Sequence, residues 1–459
     1  MMDGEHRTSR AIVVGGSMAG LLAARVLAAR FDAVVVLDND TLPDTASPRR
    51  GVPQGRHVHV LLASGLRIIE ELFPGITGDL AEAGALPSRG GMYLNGGYLI
   101  PAPESLRSLT ASRPLIEGVV RRRLLQPGTV RVVTGVTVRR LVATPDRSRV
   151  TGVDVSGVEG SSLLEADLVV DATGRGSHAA RWLEVLGYAR PAEERIAIPI
   201  TYVTRCFRRA PGDLDGGTFE MVASDQPCHR GGLMVAIEDG RWMATLSGYG
   251  DQVPPQDLAG FVAYAQSLPA WRIGDLVSRA DPLDEGCVFR FPSSLRRRWE
   301  RLARLPEGFV VFGDGMCSFN PVFGQGMTVA AQESQALSAA LAGPRRTFAR
   351  RFYRAAARVV DRPWAIAAGM DLQHPDAVGR RNALTGMVNG YMNRLSRAAQ
   401  RDPHVATRLY QTLNLMVPST ALFRPGIVAR TLRYGGSPTG RAPQPRELAT
   451  SGQSAPLVG

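Results

Sequence analysis

The sequence predicts an α/β protein: a doubly wound, Rossmann-like domain of parallel strands, an inserted β-rich domain and a helical C-terminal region. Three observations predict it. Short apolar runs at AIVV (11–14), DLVVD (167–171) and FVVF (309–312) each end in a glycine-rich turn followed by a helix-like stretch, as buried parallel strands with crossover helices do. Residues 86–110 and 191–290 have a different grain, with alternating segments such as GTFEMVAS and GGLMVAIEDGRWMATLSGYG separated by turn residues, the pattern of antiparallel strands. From 346 to 435 the periodicity is helical, most clearly in RRNALTGMVNGYMNRLSRAA. The divisions that follow are 10–85, 112–190 and 291–345 for the parallel-sheet domain, 86–111 and 191–290 for the insert, and 346–435 for the helical region. Residues 436–459, rich in Pro, Ser and Gly, read as a disordered tail.

The 459 residues exceed what one ordinary core holds, and 44% hydrophobic with 21% charged residues is a globular composition. No uninterrupted apolar run is long enough to span a membrane, and the polar start MMDGEHRTSR runs straight into a strand. Cys206, Cys228, Cys287 and Cys317 are scattered without C-x-x-C spacing, which points to reduced thiols in a cytoplasmic protein. All 54 basic residues are arginines, so no lysine Schiff base, P-loop lysine or lysine general acid is available. The net charge of +12 is uneven: residues 391–448 hold nine arginines against Asp402 and Glu447. Beside the apolar segments LNLMV and ALF, that basic end reads either as a solvated helical face or as a peripheral contact with an anionic membrane. Aromatic and basic residues do not interleave, so a nucleic-acid partner is not expected.

The first βα turn reads GGSMAG. Gly15 and Gly20 stand at the first and third positions of a dinucleotide fingerprint, and Ser17 at the second. Ser17 must keep its side chain clear of a pyrophosphate or donate its hydroxyl to it. Asp38 ends the next strand, where a carboxylate accepts hydrogen bonds from ribose hydroxyls and repels a 2′-phosphate. In DATGRGS (171–177), Ser177 and, one helical turn on, Arg181 are candidates to face phosphate from a helix start. GDGMCSFNPVFGQGM (313–327) gathers four glycines around Asp314 and offers no acid–base partner. Asp314 at a strand end suits a polyol hydroxyl. The Pro321–Met327 loop begins a helix whose bare N–H groups stabilise negative charge developing on a ring. A reduced flavin is such an anion, and its own reactivity spares the protein acid–base residues.

With these three segments in this order, the sequence resembles the single-component FAD-dependent monooxygenases of the para-hydroxybenzoate-hydroxylase fold over most of residues 10–435. RRGVPQGRHVHVLL (49–62) with SRPLIEGVVR (112–121) further resembles the olefin epoxidases of polyether biosynthesis. The resemblance implies FAD held by Gly15, Ser17, Gly20, Asp38, Arg113 and Asp314, with Arg50 as a further contact and Arg121 reaching the phosphates. It places Pro321, Gly324, Gln325, Gly326 and Met327 at the flavin ring. It also implies NAD(P)H as a transient reductant without its own nucleotide fold, and molecular oxygen as co-substrate. The activity implied is transfer of one oxygen atom from a flavin hydroperoxide to a hydrophobic small molecule, by epoxidation or hydroxylation, in secondary metabolism. The alternative on the same scaffold is a flavin-dependent reductase or dehydrogenase acting on isoprenoid or polyketide double bonds. A flavin halogenase is disfavoured, because that family relies on a lysine. No catalytic base stands out, which tilts the reading toward epoxidation. His57 and His59 lack a third ligand and read as packing or substrate contacts rather than a metal site. Trp242 and Phe289 are candidates for an apolar wall over the flavin, against a plain core role.

Overall fold

The computed structural model describes residues 8–43, 45–106, 108–157, 160–224, 229–374, 376–379 and 385–436; Cys228 and the tail from 437 onward lie outside the described residues. The parallel domain is built from β1 (Arg10–Val14), α1 (Met18–Leu27), β2 (Ala33–Leu37), α2 (Arg113–Leu125), β3 (Val130–Val133), β4 (Leu168–Asp171), β5 (Phe309–Val311) and α3 (Gly326–Leu341). The five strands lie in the order β5-β4-β1-β2-β3, all parallel. From β1 the chain winds one way to β2 and β3 and the other way to β4 and β5. The carboxyl end of β1 is therefore the switch point, where such sheets bind ligands. The strands are runs of Val, Ile, Leu and Phe because both faces are covered, and α1 buries eight of its ten residues among them.

A second sheet of eight strands follows the order Cys317–Ser318, Cys287–Arg297, Glu193–Arg208, Arg241–Tyr249, Arg230–Ile237, Phe219–Val222, Gly90–Leu94 and Gly97–Tyr98. Pairing is antiparallel except between Phe219–Val222 and Gly90–Leu94. Cys317–Ser318 comes directly after β5 and its glycine turn, so this sheet is anchored at the carboxyl end of the first. One face packs on helices Leu258–Gln266 and Arg272–Arg279 through Phe207, Trp242, Phe261 and Ile273. Trp242 is fully buried there, its indole N–H donating to Asp213 at 2.9 Å. Phe289 packs on His57 and Tyr202, with centroids 5.5 and 6.3 Å away. Neither lines the cavity described below, which corrects the expectation that they wall it: alternation along each strand sends Trp242 to the other face.

Within 112–190 the chain also forms a three-stranded antiparallel meander, Thr137–Ala143, Val150–Gly157 and Gly160–Glu165, that sequence reading did not separate. Its outer strand, GSSLLE, is almost wholly exposed and carries little alternation to read. The C-terminal region comprises α4 (Phe348–Asp371) and helices Thr385–Ala399, Pro403–Leu413 and Pro425–Tyr434. Leu395, Val405, Leu409 and Leu422 pack there on Leu99 and Leu106 of the insert. Part of the basic end is structural: Arg394, Arg397 and Arg401 donate to the carbonyls of Leu432, Gly436 and Tyr434 at 2.7, 2.9 and 3.0 Å, which caps the last helix. Among the described residues no helix is long and apolar enough to cross a membrane.

Candidate functional site

The three glycine turns converge at the carboxyl ends of β1, β4 and β5, which are neighbours in the sheet. Gly15 holds φ +103°, and a Cβ on it would lie 2.6 Å from the Ala172 carbonyl oxygen. A Cβ on Gly20 would lie 1.8 Å from the Gly15 carbonyl oxygen. The first turn closes on itself and on the DATGRGS turn, and only glycine fits.

Ser17 stands at the N-cap of α1 without capping it. Its hydroxyl donates to Glu117 Oε2 at 3.0 Å and accepts from the Arg113 guanidinium at 2.9 Å. The side chain is thus turned aside, and the first N–H groups of α1 stay available at the positive end of the helix. Asp38, buried at the end of β2, accepts the Gly16 N–H at 2.7 Å and the Asp40 N–H at 2.8 Å. Arg49 bridges Asp38 at 3.3 Å and Glu117 at 3.1 Å, and Arg113 pairs with Glu117 at 3.3 Å. Asp38, Arg49, Glu117, Arg113 and Ser17 therefore form one buried network beside the α1 terminus. Arg50 is exposed outside it; the neighbouring Arg49 takes the inward position. Arg121 donates to the Pro43 carbonyl and borders a small crevice with Arg49, Arg113 and Glu117. Glu117, mid-helix in IEGVV, gave no sequence signal beyond its spacing of four from Arg113.

Neither Ser177 nor Arg181 faces this region as anticipated. Ser177 donates to Asp171 at 2.6 Å, alongside the Thr173 hydroxyl at 2.6 Å, and Arg181 is exposed on the short helix Ala179–Val185. Burial raises the Asp171 pKa, and these donors oppose the rise. Arg175 instead straps the turn to the second sheet, donating to the Ser293 carbonyl at 2.6 Å and to the Ser318 hydroxyl at 3.0 Å.

Asp314 sits on the Gly313–Gly315 turn. Desolvation pushes its carboxyl above the ordinary range, while Arg113 and Arg175 pull it down. Behind it, Glu333 of α3 is fully buried. Its Oε2 accepts the Gly313 N–H at 2.7 Å, while Oε1 has no hydrogen-bond partner. Burial, with Asp314 nearby, pushes the Glu333 pKa up to about 8.

The loop that follows begins at Asn320, whose Oδ1 accepts the Val322 N–H at 3.2 Å. Pro321–Phe323 is a single 3₁₀ turn, ended by Gly324 at φ +60°, a value β-branched residues avoid. α3 then starts at Gly326 with no side-chain cap, and the Oε1 of Gln325 is buried without a partner. Met327 is buried in the first turn. A Cβ on Gly326 would find only Asp314 Oδ1 within 4 Å, at 3.9 Å, so the space in front of the helix terminus is open.

From this loop a cavity of about 820 Å³ extends between the second sheet and the C-terminal helices. Val60, Met92, Leu99, Phe219, Leu233 and Phe323 give it apolar walls, and His229, Tyr249 and His374 supply a polar corner. His57 and His59 point away while Val58 and Val60 line the cavity. His57 Nδ1 lies 2.7 Å from the Thr204 hydroxyl, and burial lowers its pKa to about 4; His59, on the His57 carbonyl at 3.0 Å, is lowered to about 3 by burial and Arg113. Among the described residues no three of His, Cys, Asp and Glu are grouped to hold a metal ion.

No family model matches the sequence. Protein Rv3254 of Mycobacterium tuberculosis (strain ATCC 25618 / H37Rv) is 35% identical over 441 residues, which cover 90% of this chain and 92% of that protein. Among solved structures, the flavin-dependent brominase Bmp2 superposes with a TM-score of 0.66 at 13% identity, over 93% of this chain and 98% of that one. A flavoprotein/dehydrogenase from Cytophaga hutchinsonii gives 0.63 at 13% identity, over 89% and 92% of the two chains. PqsL, a probable FAD-dependent monooxygenase from Pseudomonas aeruginosa, gives 0.61 at 16% identity, over 79% and 96%. Identities this low speak to the fold alone.

Proposed function

The chain belongs to the family of Protein Rv3254 of Mycobacterium tuberculosis and has the fold of the FAD-dependent monooxygenases and flavin-dependent halogenases, and from that premise we propose that it is an FAD-dependent monooxygenase that inserts one oxygen atom into a hydrophobic small molecule. One observation carries this reading. The apolar cavity opens at the Pro321–Gln325 loop, which leads into the uncapped terminus of α3, and Asp314 lies next to that terminus at Gly326.

The residues present fit FAD. The open N–H groups of α1, with Ser17 turned aside and Arg113 next to them, suit the pyrophosphate. Asp38 suits the ribose, and Asp314 a hydroxyl of the ribityl chain. The first N–H groups of α3 suit the edge of the ring, where preorganised donors stabilise negative charge without reorganising, and the unpartnered oxygen of Gln325 suits a ring N–H. Bound FAD supplies the electron and oxygen chemistry; NAD(P)H is the proposed reductant and dioxygen the oxygen source. The chain positions the substrate and excludes water: Val60, Phe219, Leu233 and Phe323 hold an apolar body against the loop, where orientation lowers the barrier. The chain contains no lysine, so oxygen transfer to carbon, as epoxidation or hydroxylation, is preferred to halogenation.

The test is mass spectrometry of the product under isotopically labelled dioxygen with NADPH or NADH. The expected product is heavier by one labelled oxygen atom, with oxygen uptake matched to nicotinamide oxidation. Turnover that proceeds equally well without oxygen would overturn the proposal in favour of a flavin-dependent reductase.

A further inference from the structure

Three rings lie side by side on the cavity wall. His229 and His374 meet edge to face with centroids 4.3 Å apart, and Tyr249 stacks on His374 at 5.2 Å. Tyr249 ends its strand and donates its backbone N–H to the His229 carbonyl at 3.1 Å. His229 holds φ +52°, a conformation that a non-glycine residue keeps only when its surroundings impose it.

Neighbouring groups set what each ring offers. Asn320 is saturated: Oδ1 accepts from the Tyr202 hydroxyl and the Val322 N–H, while Nδ2 donates to Asp371 at 2.8 Å and to the Tyr249 oxygen at 3.4 Å. With its oxygen taken as an acceptor, Tyr249 keeps its hydrogen to donate into the cavity. His374 Nδ1 accepts the Asp376 N–H at 3.3 Å, and burial and the neighbouring His229 lower the pKa of this ring, against the pull of Asp376 and Asp251. Among the described residues the ring nitrogens of His229 have no hydrogen-bond partner.

The geometry points to a hydroxyl-selective subsite, in which His229 accepts and Tyr249 donates to one hydroxyl group of an otherwise apolar, uncharged substrate. This rests on the proposed function only in taking the cavity as the substrate chamber. A hydrocarbon would bury the Tyr249 donor and the His229 acceptor unpaired, and that penalty separates it from the matching alcohol, enol or phenol. A carboxylate would enter an apolar chamber that, among the described residues lining it, offers no cation at this corner. The cavity's arginines are elsewhere. Arg89 adjoins strand Gly90–Leu94, three strands from Tyr249, or about 14 Å at the spacing of a sheet. Arg272 is already paired with Asp215 at 2.9 Å and Glu220 at 3.6 Å.

The test is titration of the flavin-loaded protein with 2-naphthol, naphthalene and 2-naphthoate, followed by flavin absorbance and calorimetry. The expected result is about tenfold tighter binding of 2-naphthol than of either companion, the effect of one or two net hydrogen bonds. His229→Leu and Tyr249→Phe should each reduce that preference to about twofold or less, while His229→Gln, which keeps an acceptor, should retain most of it. Either loss variant suffices, provided its flavin spectrum and melting temperature show it folded. Equal affinities, tighter naphthoate, no binding of any probe, or a preference that survives both substitutions overturns the subsite. The titrations need no turnover, so their failure leaves the oxygen-label result standing, and the converse also holds.

Discussion

The two ends of the candidate site are built in different ways. At the carboxyl ends of β1, β4 and β5 the ligand would meet backbone: turns that close to 1.8 Å around absent side chains, and helix termini without caps. At the cavity end it would meet mostly side chains, and Val60, Met92, Phe219, His229, Tyr249, Phe323 and His374 come from seven separate stretches of chain. The first kind of site is local, since a turn must be glycine at fixed spacing wherever the rest of the protein goes. The second exists only after folding, because each wall residue is an ordinary apolar or aromatic residue of its own element. The cofactor end is therefore the end where single substitutions are expected to be absolute, and the cavity end the one where they are graded.

The sharpest way to break that contrast is Gly20→Val. The branched side chain would start 1.8 Å from the Gly15 carbonyl oxygen and 3.3 Å from Val13 Cγ1, and backbone cannot yield as a flexible side chain does. The expected outcome is no folded, flavin-bearing protein, read from soluble yield and visible absorbance. A yellow, soluble variant would show that the turn is looser than its geometry.

Next in size is a comparison of adjacent arginines. Arg49→Ala leaves the carboxylates of Asp38 and Glu117 buried with their bridging cation removed, a change that typically costs about 3–5 kcal/mol. Arg50→Ala removes an exposed side chain and should stay within about 0.5 kcal/mol. Melting temperature and FAD retention, measured side by side, check both. Equal effects would mean that Arg50, as the family resemblance implies, reaches the cofactor once it is bound.

That pair also shows how far the sequence could be read. The parallel sheet and its three turns were legible because glycine spacing and unbroken apolar runs have few other causes. Asp38 and Asp314 were legible from their places at strand ends. The choice between Arg49 and Arg50 was not, since which of two consecutive loop residues points inward depends on how the loop lies against Asp38 and Glu117, and no pattern in RRGVPQ sets it. Ser177 reads as a phosphate ligand from its place in the turn, but its hydroxyl is taken by Asp171. Trp242 is on the face opposite the cavity because of strand parity, and a size-based reading ignores parity. His229 gave no signal, for what marks it is company with Tyr249 and His374, not spacing.

The smallest expected effect tests whether the backbone-built end also leans on one side chain. Glu333 accepts the Gly313 N–H and so holds the turn that presents Asp314. Its pKa is raised by burial from 4.5 to about 8. A carboxyl whose folded pKa lies above its unfolded value adds stability at low pH, and that contribution is lost as the pH rises from about 4.5 through about 8. Glu333→Gln keeps an acceptor for the Gly313 N–H and removes the titration. Variant and wild type should therefore be similarly stable near pH 5, and the variant should become the more stable by about 2–3 kcal/mol near pH 9, less than the full shift implies because the site relaxes around the charge. Titrating groups not coupled to Glu333, Asp371 with its pKa raised to about 6 among them, cancel in the difference, whereas Asp314, which is coupled to it, contributes to the gap. Thermal melts of both proteins at pH 5, 7 and 9, with flavin bound, provide the measurement. A gap that does not widen with pH would mean that Glu333 is ionised across this range and holds the Gly313 N–H as a carboxylate.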